Sequence, residues 1–233
     1  MLNTRFFIST LLVSSFLIVN AQTKSKFSIN LIPKFGDYNL QLDTVFYKLP
    51  NKIDSVSFSN LKFYVTNIIF LQNKKVVYKE KNSYHLIDCK NIVSQKIDIQ
   101  ITSKKLIFNS IEFCLGVDSV INTKGFFYKD LDPVKGMYWA WHSGFINFKL
   151  EGNSNLCNTR YNNFQFHLGG FKHPFNGLQK VNFLNASAKE INIKFDVLKF
   201  LNQVDLSKTN EIMTPSKHAN ELLKFAAQSF SLL

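Results

Sequence analysis

The sequence predicts an all-β protein, a β-sandwich of the immunoglobulin or jelly-roll kind with one α-helix at its C-terminal end. Aromatic residues make up 15% of the 233 residues, with 24 Phe and only 9 Gly, and aromatic and β-branched side chains suit half-buried strands. Short segments of alternating apolar and polar residues recur along the chain. Only the last part of the chain has apolar residues at helical spacing. A closed β-barrel is the alternative arrangement of such strands.

The predicted strands follow one another from residue 25 to residue 197. The clearest contains Ile97, Ile99 and Ile101, which alternate with polar residues and therefore share one face. A turn at residues 72–74 predicts a hairpin, and Ser143-Gly144 predicts a bend or bulge. The segments predicted to be strands are 25–31, 57–71, 76–78, 84–88, 97–101, 106–115, 137–150, 163–168 and 190–197.

The predicted helix occupies the last twenty or so residues. Thr214 is a suitable N-cap, and Pro215 is a suitable first helical residue. The apolar residues that then recur at helical spacing are Ala219, Leu222, Leu223, Ala226 and Phe230. This pattern predicts one amphipathic helix that packs on an edge or a face of the sheets.

The start of the chain resembles a secretory signal peptide. Arg5 precedes an apolar run at residues 6–19, and small residues place the cleavage site after Ala21. The run is short for a membrane-spanning helix, although an uncleaved anchor is the alternative. No second long apolar run follows, so we expect residues 22–233 to form a single domain with no membrane span, in the periplasm or secreted.

Charge and cysteine content narrow the function classes. The formal net charge is +12, but the excess lysines are dispersed, which is typical of a solvated surface and argues against nucleic-acid binding. Cys89, Cys114 and Cys157 include no C-x-x-C pair. We expect Cys114 to face the core as a small hydrophobic residue, and a bridge between Cys89 and Cys114 stays open.

The sequence contains few signs of catalysis. It has no H-E-x-x-H, G-x-S-x-G, Walker A or G-x-G-x-x-G motif. No serine is marked as a nucleophile, and the carboxylates are sparse and mostly isolated. We therefore expect a protein that is not an enzyme, and an enzyme of an unrecognised type ranks last among the alternatives.

The most informative segment contains both tryptophans of the chain, Trp139 and Trp141. On a regular strand these residues point to the same side, so their indoles would form one wall. A core aromatic ladder is the common structural explanation of such a stripe. His142 follows directly, and a second predicted strand carries His167 before the pair Gly169-Gly170. A histidine that ends a strand at such a turn, as His167 does, is well placed to point into a site at the rim of the sheets.

Several motifs, in their order along the chain, resemble one known family. Residues 136–152 contain Trp139-Ala140-Trp141 and end in Glu151-Gly152. The other matching segments are 61–67, 84–88 (YHLID), 113–119 (with GVDS) and 166–170 (FHLGG). Together they resemble the MbnP-like family of exported copper-binding proteins, which is named for a partner protein of methanobactin systems. The likeness runs from about residue 27 to the terminal helix.

This resemblance implies an exported β-sandwich that binds copper in copper acquisition or handling. In some members of the family a tryptophan is oxidised to kynurenine and joins histidines as a copper ligand, and the implied partner is a separate di-haem oxidase. Matched by motif, His167 is the first implied ligand and His85 the second. Trp139 or Trp141 is the residue implied to be modified.

The neighbouring residues have chemistry that suits copper. Imidazole binds both oxidation states of copper, and thioether sulfur favours Cu(I). Met137 would share a face with Trp139 and Trp141 on a regular strand, and His142 is the histidine nearest to them in sequence. An indole face would add cation–π attraction. The alternative function is a metal-free interaction module that binds a protein or a glycan through its Trp-rich face.

Overall fold

The computed structural model describes residues 25–49, 54–102, 106–125, 127–141 and 144–233. The expected signal segment at residues 1–21 and His142 lie outside the described residues. Seventeen β-strands are present in the described part of the chain: β1 Ser25–Phe35, β2 Tyr38–Asn39, β3 Tyr47–Lys48, β4 Ser55–Gln72, β5 Lys75–Lys79, β6 Tyr84–Asp88, β7 Lys96–Ile101, β8 Ser110–Leu115, β9 Tyr138–Trp139, β10 Gly144–Ser154, β11 Asn163–Gly169, β12 Phe171–Lys172, β13 Phe175–Asn176, β14 Gln179–Leu184, β15 Glu190–Asp196, β16 Glu211–Ile212 and β17 Phe230–Leu232.

Helices are few and mostly short. The α-helices among the described residues are α1 Ser119–Lys124, α2 Val197–Leu201 and α3 Lys217–Gln228, and the single-turn 3₁₀ segments are Ile92–Gln95, Lys129–Leu131 and Pro133–Lys135. No helix in this part of the chain is long and apolar enough to cross a membrane.

Two sheets pack face to face, which confirms the predicted β-sandwich. The large sheet has the strand order β14-β8-β4-β10-β11-β16. In addition, β3, β5 and β6 pair with β4, and β9 pairs with β10. The small sheet has the order β17-β15-β1-β2, with β7 also on β1. Phe63 and Phe148 of the large sheet lie 5.3 and 5.5 Å, between ring centroids, from Phe195 of the small sheet. Aromatic side chains therefore fill much of the interface, which explains the high Phe content.

The predicted C-terminal helix is confirmed, but its start is two residues later than expected. Ser216, and not Thr214, is the N-cap, because the Ser216 hydroxyl accepts a 3.0 Å hydrogen bond from the Ala219 amide. The predicted apolar face of α3 packs against β11 and β14. Phe230 falls outside the helix, in β17.

Several strand predictions need correction. The strand predicted at 106–115 begins only at Ser110, and the one predicted at 137–150 divides into β9 and β10 because the chain turns after Trp139. The strand β14 was not predicted, although Val181 and Phe183 alternate with polar residues and are buried. The short helices α1 and α2 were also not predicted.

The expected orientation of Cys114 is wrong. In β8 the side chains of Phe113 and Leu115 enter the core, so Cys114 points to the opposite face with Glu112. All three cysteines are free thiols, and the bridge between Cys89 and Cys114 that the sequence left open does not form. Burial raises the pKa of each of these thiols.

Candidate metal centre

The outer face of the large sheet, which points away from the small sheet, carries a second apolar cluster. A segment at residues 127–139, here named the cap, crosses this face. The Tyr64 hydroxyl donates a 2.9 Å hydrogen bond to the backbone carbonyl of Asp130, whose carboxylate accepts one from the Leu86 amide at 3.1 Å. The buried members of this outer cluster are Tyr64, Leu86, Val117, Leu131, Met137, Trp139, Phe145 and Ile146.

Two lysines of the sheet hold the turn that leads into Met137. The Lys62 ammonium donates to the carbonyl of Lys135 at 3.3 Å, and the Lys149 ammonium donates to the carbonyl of Gly136 at 3.4 Å. Lys149 also lies 3.5 Å from a carboxylate oxygen of Glu151. The side chains of both lysines are largely buried. The cap is therefore fixed to β4 and β10 by polar contacts as well as by apolar packing.

The indole of Trp139 packs on Gly169, so the two sequence motifs meet. A Cβ atom on Gly169 would lie 2.8 Å from Cζ3 of Trp139 and 2.6 Å from the carbonyl oxygen of Phe145. Only glycine leaves room for this contact. Because residues two apart on a strand point to the same face, His167 lies on the face of β11 that Trp139 covers.

Trp141 lies beside Trp139 but is far more exposed. The chain turns after Trp139, so the two indoles do not form the regular strand wall that the sequence predicted. Their ring centroids are nevertheless 6.0 Å apart, with an angle of 47° between the rings. Trp139 is 5% exposed and Trp141 is 65% exposed. The pair therefore reaches from the outer cluster to solvent.

His167 is buried and is oriented by Glu151. Its ring atom Nε2 lies 2.6 Å from Oε1 of Glu151, and the side-chain amide of Asn60 donates to Oε2 of the same carboxylate at 3.1 Å. The hydrogen bond from His167, followed by the nearby Lys149 charge and the Asn60 bond, lowers the pKa of Glu151 to about 2 against the opposing effect of burial. Glu151 is thus an ionised carboxylate that fixes the imidazole ring through Nε2.

The other candidate ligands lie in different surroundings. In β6, the side chains of His85 and Ile87 point to the same face of the large sheet, the face that packs on the small sheet. Leu86 points to the other face, into the outer cluster. His85 and His167 are therefore on opposite faces of the large sheet, and Nε2 of His85 binds Glu80 at 2.8 Å. Met137 is fully buried in the outer cluster together with Trp139.

The described residues offer few side chains that could bind a metal ion, and these are softer donors than carboxylates. Within the described ranges, no group of three or more His, Cys, Asp and Glu residues could hold a metal ion. The possible donors are the thioether of Met137, which belongs to the same cluster as Trp139, the imidazole of His167, two residues before Gly169 on β11, and the indole faces. The charge of Glu151 is balanced by Lys149. Such donors fit a cuprous ion better than a hard divalent ion.

Sequence reasoning missed the residues that support His167. Glu151 and Lys149 project from the same face of β10, where they alternate with the buried residues Phe148 and Leu150. That alternation was visible in the sequence, but it did not show that Glu151 would meet an imidazole of the neighbouring strand. The close approach of Trp139 to Gly169 also depends on the path of the cap, which local sequence patterns do not give.

The fold and the site define a β-sandwich whose outer cap packs Trp139 on the strand that bears a buried histidine. A family model for MbnP matches residues 24–214, and the chain belongs to the MbnP family. This confirms the resemblance seen in the motifs. The structure is similar to that of MbnP from Methylosinus trichosporium, with a TM-score of 0.61 and 10% sequence identity over 83% of each chain. At that identity the similarity concerns the fold. No curated protein sequence gives a significant match.

Proposed function

We propose that this protein binds copper outside the cytoplasm, in copper acquisition or handling, and does not itself catalyse a reaction. Membership of the MbnP family supports the choice of metal. The observation that carries the proposal is the contact of Trp139 with Gly169, on the face of β11 that also bears His167. Export follows from the signal peptide expected at residues 1–21.

His167 is the proposed principal ligand. Because Nε2 is held by Glu151, Nδ1 is the ring nitrogen that would bind the metal, and a carboxylate bonded to the other nitrogen is the usual second shell of a histidine ligand. Trp139, Trp141 and Met137 would supply soft or π contacts. His142 follows Trp141 in the sequence and is the candidate for a second imidazole.

Oxidation of one tryptophan to kynurenine is a finer part of the proposal. Trp141, which is 65% exposed, is the more accessible to a di-haem oxidase, whereas Trp139 lies closer to the strand of His167. Kynurenine differs from tryptophan by the exchange of one carbon for one oxygen, so the intact mass followed by peptide mapping shows whether and where it forms. If both tryptophans are unmodified, the proposal that one of them becomes kynurenine is wrong. Copper binding itself is tested separately, by titration.

A second candidate function is the recognition of a protein or a glycan without metal. The exposure of Trp141, together with that of Phe127 at 46%, favours it, because exposed aromatic side chains often mark binding surfaces. This function needs the exposed indole but does not need His167. Variants of the two residues therefore separate the two functions.

The deciding experiment is a copper titration of the purified chain without its signal segment. A competing chelator of known affinity gives the stoichiometry and the Kd for the wild type, for His167→Ala and for His85→Ala. We expect one copper per chain in the wild type, and a loss of affinity of at least about a hundredfold in His167→Ala, as for the removal of one ligand. His85→Ala, on the opposite face, should bind as the wild type does. Equal binding by His167→Ala and the wild type would refute the site.

A further inference from the structure

A basic groove lies on the other side of β4 from His167. One side of the groove, its first bank, is formed by the end of β5 and the turn before β6, with Lys79 and Lys81. The opposite side, its second bank, is formed by α1 and the segment that follows it, with Lys124 and Lys129. Two adjoining cavities of about 620 and 440 Å³ make up the groove. Each volume lies in the range that small-molecule sites occupy.

The four lysines of the groove are uncompensated by direct ion pairs. All four side chains are exposed, and within the described residues none of their ammonium groups lies within ion-pair distance of a carboxylate. Like charges on facing banks repel each other, so an anion between the banks would relieve an unfavourable field. An anionic ligand in the groove could therefore contact lysine side chains on both banks.

The acidic side chains around the groove are already engaged. Glu80 accepts hydrogen bonds from the Ser83 hydroxyl and from His85. Asp118, at the start of α1, accepts from the Tyr84 hydroxyl at 2.7 Å and from the Ile121 amide at 3.1 Å. Asp130 accepts from the Leu86 amide. These bonds fix the carboxylates in place. The lining of the two cavities therefore contains four lysines and two carboxylates, Glu80 and Asp130, which is a formal excess of two positive charges.

The groove also has aromatic and amide surfaces. Tyr84 and Tyr128 line both cavities, and Asn82, in the turn, lines both as well. Asn67 contributes to the first cavity at a position where β4 departs from regular strand geometry, with a φ of +54°. A ligand here would meet ammonium groups at its ends and phenol rings and amides along its length.

From this arrangement we infer that the groove between the 80–83 turn and α1 binds a small polyanion, a molecule with at least two carboxylate or phosphate groups that bridge the two banks. Lysine ammonium groups bind both kinds of anion as point charges. A single monoanion would satisfy one bank only. This site is separate from the candidate metal centre and does not depend on copper.

The test is isothermal titration of the metal-free protein with three probes. Citrate represents the carboxylates, tripolyphosphate the phosphates, and acetate is the monoanion control. The groove variant Lys81→Gln/Lys129→Gln removes one charge from each bank. The matched variant Lys189→Gln/Lys224→Gln removes two charges from exposed lysines that line neither cavity. Both variants change the net charge equally, so general electrostatic attraction affects them alike.

We expect citrate or tripolyphosphate to bind the wild type with one site, and acetate not to compete. The groove variant should lose at least about tenfold in affinity, and the matched variant less than about twofold. The probe that binds more tightly identifies the chemical source of the anion. Absence of binding by both polyanions, or an equal loss in the two variants, would overturn the inference. Near-UV circular dichroism checks that both variants keep the native packing.

Discussion

Trp139 and Gly169 are in direct contact: a Cβ atom on Gly169 would lie only 2.8 Å from the ring atom Cζ3 of Trp139. This contact explains two features of the sequence together, a tryptophan pair in one segment and a glycine after a histidine strand in another. The cap packs the indole of Trp139 against the backbone of Gly169, two residues after His167 in β11. The proposed copper site depends on this approach.

Replacement of Gly169 by alanine tests the contact. The new methyl group would clash with the carbonyl oxygen of Phe145 and with the indole of Trp139. The Phe145 oxygen belongs to the backbone of β10, so it cannot move away without disturbing that strand. We expect the free energy of unfolding to fall by about 2 kcal/mol, as overpacking of a buried site does. Urea denaturation measures the change.

Gly144→Ala is the matched control for this prediction. A Cβ atom on Gly144 would lie 3.1 Å from Cε1 of Phe171, the edge of a partly exposed ring that can turn away. We expect a smaller loss, below about 1 kcal/mol. An equal effect of the two substitutions would show that the indole contact is not tight.

The bond between Glu151 and His167 predicts a pH dependence of stability in the metal-free protein. The pKa of Glu151 falls from 4.5 to about 2 on folding, mainly through the His167 hydrogen bond. Between these values the unfolded chain binds more protons than the folded chain, so stability rises with pH. The contribution is fully present above about pH 4.5 and is lost as the pH falls through about 2. It is on the order of 2 kcal/mol.

Glu151→Gln should remove this part of the acid dependence. Urea midpoints measured from pH 2 to 6 would then fall less steeply than in the wild type. Glu211→Gln, at an exposed carboxylate of β16, should keep the wild-type slope. If Glu151→Gln and the wild type lose stability in parallel, the carboxylate is not held by His167 in solution.

Lys149→Met should loosen the cap while keeping the apolar stem of the side chain. It removes the hydrogen bond to the Gly136 carbonyl and the ion pair with Glu151. We expect a loss of about 1 kcal/mol in unfolding free energy. The Ile146 amide, which donates to the Met137 carbonyl at 2.9 Å, should exchange with deuterium about tenfold faster.

Lys180→Met is the comparison for this variant. Lys180 pairs with Glu112 at 3.0 Å on the surface, away from the cap. Hydrogen exchange at Ile146 should stay as in the wild type. Unchanged exchange in both variants would mean that Lys149 does not hold the cap.

The sequence predicted most of the sandwich because its strands carry strong local signals. Ile97, Ile99 and Ile101 alternate and are buried as expected. The N-cap at Thr214 was misplaced because Ser216 is an equally suitable residue by type, and only backbone geometry distinguishes them. Cys114 was misplaced because its apolar neighbours concealed the alternation of β8.

The candidate site was predicted only in part, for a physical reason. Motifs indicated His167 and the tryptophans, but long-range pairing decides which faces they share. The register of β4 with β6 and of β10 with β11 sends His85 and His167 to opposite faces. The partners Glu151 and Lys149 come from β10, and no local pattern shows which side chain of a neighbouring strand they meet.

The most direct measurement is the fluorescence of Trp139 during copper titration. The Trp141→Phe variant, produced without an oxidase and shown by mass to be unmodified, contains Trp139 as its one tryptophan. We predict that one equivalent of copper quenches this fluorescence, and that His167→Ala in the same background abolishes the quenching. Stoichiometric copper binding without quenching, or quenching that persists after His167→Ala, would contradict a metal site shared by Trp139 and His167.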